Sequence, residues 1–188
     1  GDDCRFFKGI TFTYGHNISV GDNTVVHDDV HLDDRGRLTI GDRVSISDGV
    51  HLYSHDHDVV DQTAVENYHT VVEDDARVTY DAMVRAGIRI GTNSVVGARS
   101  VVQGDVPAHH VVAGTPAESI RVKPGWESVA DPVADRLVNR QEERRIPYDL
   151  PDELDTFDEF GRTLTPPDAP DAPDAAESDS GSDPGSDD

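Results

Sequence analysis

The sequence contains very little lysine or cysteine and no long apolar run. Lys8 and Lys123 are the only lysines among its 188 residues, and Cys4 is the single cysteine. One cysteine excludes an intramolecular disulfide, which fits a reducing compartment. No apolar stretch approaches the roughly 18 residues of a membrane-spanning helix, and no signal-peptide pattern is found. We therefore expect a cytoplasmic protein that does not insert into a membrane.

Positive charge is also scarce. The chain has 16 Lys and Arg against 38 Asp and Glu, which gives a formal net charge of −22. Salt of about 1 M shortens electrostatic screening to roughly 3 Å, so we interpret the Asp-rich, Lys-poor composition as adaptation to high salt. The alternative is an ordinary acidic protein with an acidic tail. In either case, nucleic acids and anionic membranes are not expected as partners.

A six-residue repeat occupies the first half of the chain. An aliphatic residue, or once a tyrosine, opens each of thirteen units, and glycine follows it in five of them. The fifth position of a unit is usually small or β-branched. The opening residues are Tyr14, Val20, Val26, Leu32, Ile40, Ile46, Leu52, Val72, Val78, Val84, Ile90, Val96 and Val102.

A period of six fits neither the 3.6-residue period of a helix nor the two-residue period of a strand. It does fit a coil with three short sides, in which each opening residue points into the interior. Successive coils of roughly 18 residues would then stack as parallel strands about 4.8 Å apart. The sequence therefore predicts an all-β fold with a parallel β-helix over residues 14–107. A β-sandwich of short strands is the alternative.

Two interruptions break the six-residue frame. Leu32 and Ile40 are eight residues apart, which predicts a two-residue corner insertion within 33–37. Leu52 and Val72 are twenty residues apart, so residues 56–70 are expected to leave the coil as an external loop. The stretch around this loop, from His51 to Val72, contains four of the nine histidines. Because loops on a rigid scaffold often carry function, we expect the functional site here.

The segments outside the repeat receive separate interpretations. Residues 1–13 are taken as an N-terminal lead-in, compatible with a truncated start, and residues 108–125 as a C-terminal cap of the coil. Residues 126–165 are expected to form a partly helical extension, with a short amphipathic helix within 126–146. Residues 166–188 are acidic and poor in apolar side chains, which predicts a disordered tail.

The repeat, the histidine-bearing loop and the closing motif VVAGTPAESI at 111–120 together resemble the hexapeptide-repeat acyltransferases. The similarity is to the maltose and galactoside O-acetyltransferases and their polysaccharide O-acetyltransferase relatives, here with a haloarchaeal type of composition. The resemblance implies a left-handed β-helix and a homotrimer with active sites between neighbouring subunits. It also implies acetyl-CoA or another acyl-CoA as donor and no metal ion. The acceptor group would be a hydroxyl or an amine, and in this branch the acceptor molecule would be a sugar.

The resemblance makes His55 the general base, because it aligns with the family's catalytic histidine just before the excursion from the coil. A neutral imidazole can take the proton of an attacking hydroxyl group, which typically accelerates the reaction about 10²–10⁴-fold. We expect a backbone carbonyl or Asp56 to fix the other ring nitrogen. His57 is the alternative base.

Acceptor contacts are expected from four residues. His27 aligns with an acceptor-binding asparagine of the family, and Asp34 lies in the corner insertion, where its carboxylate could bind hydroxyl groups. His57 and Tyr68 are expected to line the pocket from the loop.

Donor contacts are expected in the later coils. Tyr80 and Ala98 are 18 residues apart and should stack in adjacent coils. Ala98 matches a family contact with the pantetheine arm, and Tyr80 stands where many members have a serine. Arg99 and Arg121 are expected to bind the phosphates of CoA. Gln103 replaces the first residue of a Thr-Lys pair that is common in the family.

Two other functions remain open from the sequence. A γ-carbonic-anhydrase-like metalloenzyme would use His51, His55 and His57, although the histidine spacing differs from that family's pattern. A non-catalytic trimeric β-helix scaffold would explain the loss of the Thr-Lys pair. The acceptor and the length of the acyl chain are not fixed by these residues.

Overall fold

The computed structural model describes residues 1–61, 63–133 and 136–147, whose strands form a parallel β-helix with three sheets. The prediction of an all-β parallel β-helix is confirmed, and the architecture is consistent with a left-handed β-helix. The first sheet contains β1 (Arg5–Phe6), β4 (Val25–Val26), β7 (Ser45–Ile46), β11 (Arg77–Val78), β14 (Val95–Val96), β16 (His110–Gly114) and β17 (Ala117–Val122).

The other two sheets complete the triangular cross-section. The second contains β2 (Thr11–Phe12), β5 (His31–Leu32), β8 (His51–Leu52), β12 (Met83–Val84) and β15 (Val101–Val102). The third contains β3 (Ile18–Val20), β6 (Arg37–Ile40), β10 (Val65–Val72) and β13 (Arg89–Ile90), and two further strands, β9 (His55–His57) and β18 (Arg145–Ile146), pair with β10.

The interior is filled by the residues that open the repeats. All opening positions from Val26 to Val102 are at most 1% exposed, and fifth-position residues such as Val44 and Ile88 are buried beside them. Because side chains alternate along a strand, outward neighbours such as Ser45 stay partly exposed. Burying one aliphatic side chain contributes about 1.5–3 kcal/mol, so this column is the main source of stability.

The β-helix starts earlier than the repeat indicates. β1 and β2 pair in parallel with β4 and β5, so residues 5–12 form sides of the first coil rather than a lead-in. Phe12 is in register with the inward-facing Leu32, whereas Tyr14 is exposed and stacks on His16. The six-residue frame misses this because the first coil contains the same kind of insertion as the second.

All insertions lie at one corner, between the second and third sheets. Arg5 pairs with Val25 and Val25 with Ser45, which gives coils of 20 residues, whereas the later pair Arg77 and Val95 are 18 residues apart. The extra residues fall within 13–17 and 33–37, between the end of a second-sheet strand and the next third-sheet strand. We call this corner the insertion corner.

The predicted external loop is a β-hairpin that projects from the insertion corner. β9 pairs antiparallel with the first half of β10, so that His55 lies opposite Asn67 and His57 opposite Val65. The second half of β10, from His69 to Val72, returns to the coil and pairs in parallel with β6. The excursion predicted for residues 56–70 is therefore present but mostly ordered, because backbone hydrogen bonds pair its two arms.

The chain after the coil differs from the prediction of a helix. β16 and β17 form an antiparallel pair at the last coil. Over 126–133 and 136–147, the only helical element is a 3₁₀ turn, Gln141–Arg144. Val129, Val133 and Val138 of the predicted apolar stripe are exposed, whereas Leu137 packs against the core. Pro132 lies within this segment and is unfavourable inside a helix. The predictions for residues 148–188, including the disordered tail, lie outside the described residues.

No helix in the described ranges is long and apolar enough to cross a membrane.

Candidate active site

The insertion corner brings His55 to the base of the hairpin. The insertion at 33–37 packs directly beneath it, and the backbone N–H of Gly36 donates to the Ser54 hydroxyl at 2.9 Å. A Cβ atom on Gly36 would lie 2.5 Å from the Ser54 carbonyl oxygen, so only glycine allows this approach. The close packing leaves the His55 side chain buried, with 9% of the residue exposed.

A buried ion pair lies beside the His55 ring. Arg35 donates to the Asp33 carboxylate through Nη2 at 2.8 Å and through Nε at 3.1 Å. Asp33 Oδ2 lies 4.0 Å from His55 Nδ1, which is a close charge contact rather than a hydrogen bond. Asp33 is fully buried, whereas the Arg35 side chain is 27% exposed.

The surroundings keep the His55 ring neutral. Burial, followed by the Arg35 guanidinium, lowers the pKa of His55 to about 4, although the Asp33 carboxylate opposes part of the shift. The imidazole is therefore uncharged at neutral pH and able to accept a proton. When the ring takes up a proton during a reaction, the Asp33 carboxylate would stabilise the resulting positive charge.

Asp56 does not occupy the place predicted for it. Its carboxylate accepts hydrogen bonds from Arg85 Nη2 at 2.6 Å and from the backbone N–H of His57 at 2.9 Å. Burial would raise the pKa of Asp56, but the Arg85 hydrogen bond and the His57 N–H outweigh it, so the pKa is lowered and the carboxylate stays ionised. The acid beside the His55 ring is Asp33, which the sequence interpretation missed.

An open cavity of about 240 Å³ lies next to His55. The His57 ring stands almost perpendicular to the His55 ring, with centroids 4.8 Å apart. A cavity of about 450 Å³ elsewhere, near Arg89 and Leu137, contains none of the predicted site residues. The smaller cavity is lined by Arg35, Tyr53, His55, Asp56, His57, Arg85 and Ala86.

Asp34 and Tyr68 make structural contacts instead of lining this cavity. Asp34 is fully buried, and its carboxylate accepts the backbone N–H groups of Tyr14 at 2.7 Å and Asn17 at 3.0 Å. Tyr68 is 1% exposed, and its hydroxyl donates to Glu66 at 2.5 Å. Both residues were expected to contact the acceptor, but sequence position alone could not show that neighbouring segments bury them.

Four other predicted residues gather at a second corner, between the first and second sheets. The N–H of Arg99 donates to the Tyr80 carbonyl at 2.8 Å, which puts Tyr80 and Ala98 in adjacent coils as predicted. Tyr80, Ala98 and Arg99 are exposed. His27 lies at the same corner and stacks on Phe7 with centroids 5.1 Å apart. We call this the donor corner; none of its residues lines the His55 cavity.

The last two predicted residues are also exposed. Gln103 follows β15 at the insertion corner. It lies one coil beyond Arg85, because the backbone N–H of Arg85 donates to the carbonyl of Val102, the residue before Gln103. Arg121 lies in β17 opposite Val111, on the first sheet. The structure thus divides the predicted site residues of one chain between separate surfaces.

The histidines predicted for the metalloenzyme alternative are not clustered. The His51 ring lies beside His31, with centroids 5.6 Å apart, and its Nδ1 is hydrogen-bonded to the Tyr53 hydroxyl at 3.3 Å. Within 1–61, 63–133 and 136–147, no group of three His, Cys, Asp or Glu residues is arranged to hold a metal ion.

Comparisons with known proteins identify similar structures and sequences, although no family model matches the chain. A maltose O-acetyltransferase from Clostridium difficile superimposes with a TM-score of 0.60 and 30% identity, covering 64% of this chain and 66% of that one. A hexapeptide-repeat acetyltransferase from Vibrio cholerae gives a TM-score of 0.60 and 30% identity, covering 64% of this chain and 71% of that one. The same Vibrio enzyme has also been solved in complex with acetyl-CoA.

A third relative matches by sequence over a short region. The 2,3,4,5-tetrahydropyridine-2,6-dicarboxylate N-acetyltransferase of Clostridium perfringens is 51% identical over 51 residues. The match covers 27% of this chain and only 22% of that enzyme.

Proposed function

Because the chain belongs to the hexapeptide-repeat acetyltransferases, we propose that it transfers an acetyl group from acetyl-CoA to a hydroxyl group of a small acceptor, such as a sugar, with His55 as general base. The observation that carries the proposal is the buried, neutral His55 ring at the edge of an open cavity. The maltose O-acetyltransferase relative supports a sugar hydroxyl as the acceptor.

The proposed reaction needs a base because an alcohol is a weak nucleophile at neutral pH. Nδ1 of His55 lies on the side of Asp33, so we assign Nε2 as the atom that takes the hydroxyl proton. The oxygen then forms a bond to the thioester carbonyl carbon, the carbon–sulfur bond breaks, and the CoA sulfur recovers the proton from the ring. Asp33 stabilises the imidazolium that exists between these two proton transfers. Because the acceptor hydroxyl attacks the thioester directly, no covalent enzyme intermediate is required.

The donor corner is suited to acetyl-CoA. A small side chain at Ala98 leaves room for the pantetheine arm along the backbone, with Tyr80 directly beside it. CoA phosphates require cations, and the exposed guanidinium groups of Arg99 and Arg121 would supply them on an otherwise acidic protein. Gln103 is proposed as a further contact on the insertion corner.

We propose that the active unit is a homotrimer. His55 and its cavity lie at the insertion corner, whereas His27, Tyr80 and Ala98 lie at the donor corner of the same chain. One site can contain both sets only if the insertion corner of one subunit faces the donor corner of its neighbour. A closed ring of three subunits satisfies every corner in this way.

The test is an acetyl-transfer assay with a panel of sugars, reading thiol release from acetyl-CoA in molar KCl. His55→Ala should reduce turnover by at least about 10² because the base is lost. His16→Ala, an exposed histidine elsewhere on the corner, should keep turnover. Full activity of His55→Ala would reject His55 as the base and move the role to His57. A chain that binds no acetyl-CoA would support the scaffold alternative.

A second candidate is transfer to an amine, favoured by the similarity to the dicarboxylate N-acetyltransferase. Adding amino acids to the acceptor panel separates the two reactions. An acetyl ester is cleaved by hydroxylamine whereas an acetyl amide is not, so mass spectrometry of the treated product identifies the bond formed.

A further inference from the structure

The segment from Gln141 to Ile146 returns to the His55 hairpin from outside the coil. β18 pairs antiparallel with β10, with Arg145 opposite Tyr68 and Ile146 opposite Asn67. Since β9 pairs with Val65 to Asn67 of β10 from the other side, β10 is the central strand of a three-stranded antiparallel sheet. Two strands alone are only marginally stable in water, and a third strand adds the support that they lack.

Side chains of this segment hold the hairpin at several points. Arg145 forms an ion pair with Glu66 of β10, and the Tyr68 hydroxyl donates to Glu142 at 3.2 Å. On the coil side, Arg144 donates to the Gly87 carbonyl at 2.5 Å and forms an ion pair with Asp105. The segment therefore joins the hairpin to the coil beneath it.

Gln141 contacts a residue of the cavity wall, Asp56, without lining the cavity. The residue is 7% exposed, and its side chain hydrogen bonds to the Asp56 carboxylate, which also accepts from Arg85 of the cavity wall. A Cβ atom on Gly87 would lie 2.8 Å from Gln141 Cγ, and Gly87 has a φ of +72°, so glycine is needed for this packing. An ionised carboxylate only accepts hydrogen bonds, so the Gln141 amide N–H is the donor.

We infer that residues 141–146 form a strap that holds the His55 hairpin in its working position, and that Gln141 is a positioning residue acting through Asp56. Those tests of the strap that measure turnover rest on the proposed function, whereas a test by hydrogen exchange does not. Gln141 touches neither reacting group; it fixes Asp56, and Asp56 fixes Arg85 at the cavity. The strap thus supports the site from outside the cavity, although it follows the repeat by more than a coil's length of chain.

The first arm of the test compares variants of the full chain. Gln141→Ala should lower kcat by about tenfold or more, because small displacements of a catalytic group are costly, while KM for acetyl-CoA stays within about twofold. Glu143→Ala, exposed in the same turn, is the matched control and should keep the kcat of the parent. Unchanged kcat in Gln141→Ala would overturn the positioning role.

The second arm separates hydrogen bonding from packing. Gln141→Glu preserves shape but places a second carboxylate against Asp56. Its kcat should be low at pH 8 and recover towards pH 5, where the introduced carboxyl group takes up a proton, whereas the parent should show no such rise. A Gln141→Glu profile parallel to that of the parent would overturn the role of the hydrogen bond.

The third arm does not depend on turnover. Hydrogen exchange of the amides in 55–57 and 65–67 should be at least about tenfold faster in Gln141→Ala/Arg145→Ala than in Glu143→Ala, because local opening becomes easier. Equal exchange rates would overturn the strap even in an active enzyme. Faster exchange in a chain without acetyltransferase activity would support the strap and reject the proposed function instead.

Discussion

At the scale of single residues, the environment of His55 determines its chemistry. An exposed histidine has a pKa of about 6.5 and is partly charged near neutrality. Burial beside Arg35 lowers the pKa of His55 to about 4, so the ring is a weaker base but is fully available as one. Asp33 compensates by stabilising the charged ring once the proton arrives.

The first prediction concerns the pH dependence of this base. Because kcat/KM reports the free enzyme, it should stay constant from about pH 8 down to about pH 5 and fall only near pH 4, where the His55 ring becomes charged. The stability of the fold should also decrease as the pH falls. The unfolded chain binds a proton at His55 near pH 6.5, before the folded chain does, so the contribution of the neutral ring to stability is present above pH 6.5 and lost as the pH falls towards 4. An inflection of kcat/KM at pH 6.5 would contradict the assigned environment.

The second prediction concerns Asp33. Asp33→Asn breaks the buried ion pair with Arg35, which should reduce the free energy of unfolding by about 3 kcal/mol, the low end for broken buried pairs because Arg35 is partly exposed. The pKa of His55 should also fall further, and kcat with it. Urea unfolding and steady-state assays check both effects, with the exposed Asp29→Asn as control. Unchanged unfolding free energy would mean that Asp33 and Arg35 do not form a stabilising pair.

The role of Asp33 also marks a limit of sequence interpretation. His55 could be identified because it stands where the repeat breaks, and that signal is local. The contact between His55 and Asp33 joins two coils, and its register depends on the insertion at 33–37. Without the coil lengths, Asp56, next in sequence, was the natural choice of carboxylate, but its carboxylate accepts from Arg85 and from the backbone N–H of His57.

At the scale of secondary-structure elements, the six-residue repeat determines which side chains fill the interior. This pattern was sufficient to predict the coil strands from β4 to β15, because each coil repeats the same inward positions, whereas β9 and the first half of β10 were predicted as a loop. It failed where there is no repetition: the first coil, hidden by an insertion before Val20, and the strap after β17. The apolar residues of 126–138 suggested a helix, but helical spacing alone does not supply a surface to pack against.

The third prediction tests the interior column with two neighbours in one strand. Ile46 of β7 is fully buried, whereas Ser45 faces outward and is partly exposed. Ile46→Ala should reduce the free energy of unfolding by about 2–5 kcal/mol, from lost burial and the cavity left behind. Ser45→Ala should change it by less than about 0.5 kcal/mol. Equal effects in denaturant unfolding would contradict the assignment of inward and outward faces.

At the scale of the whole molecule, the stacked insertions give the chain two different corners. The insertion corner carries the hairpin, the buried Asp33–Arg35 pair and the cavity, and the strap reinforces it. The donor corner is made of short turns with exposed small and cationic side chains. Neither corner contains all the residues that we propose for acetyl transfer, which is the physical reason for proposing that the site lies between subunits.

The fourth prediction tests this division by mixing subunits. His55→Ala damages only the insertion corner, and Ala98→Trp should block only the donor corner by filling the space for the pantetheine arm. Each variant alone should be inactive, and light scattering should give each a mass of three times the 20.4 kDa of one chain. Trimers assembled from an equal mixture should recover about a quarter of the parent activity, because a site is intact when an Ala98→Trp subunit supplies His55 and a His55→Ala subunit supplies Ala98. If instead both corners of one subunit formed its site, every subunit in the mixture would carry a lesion and no activity would return.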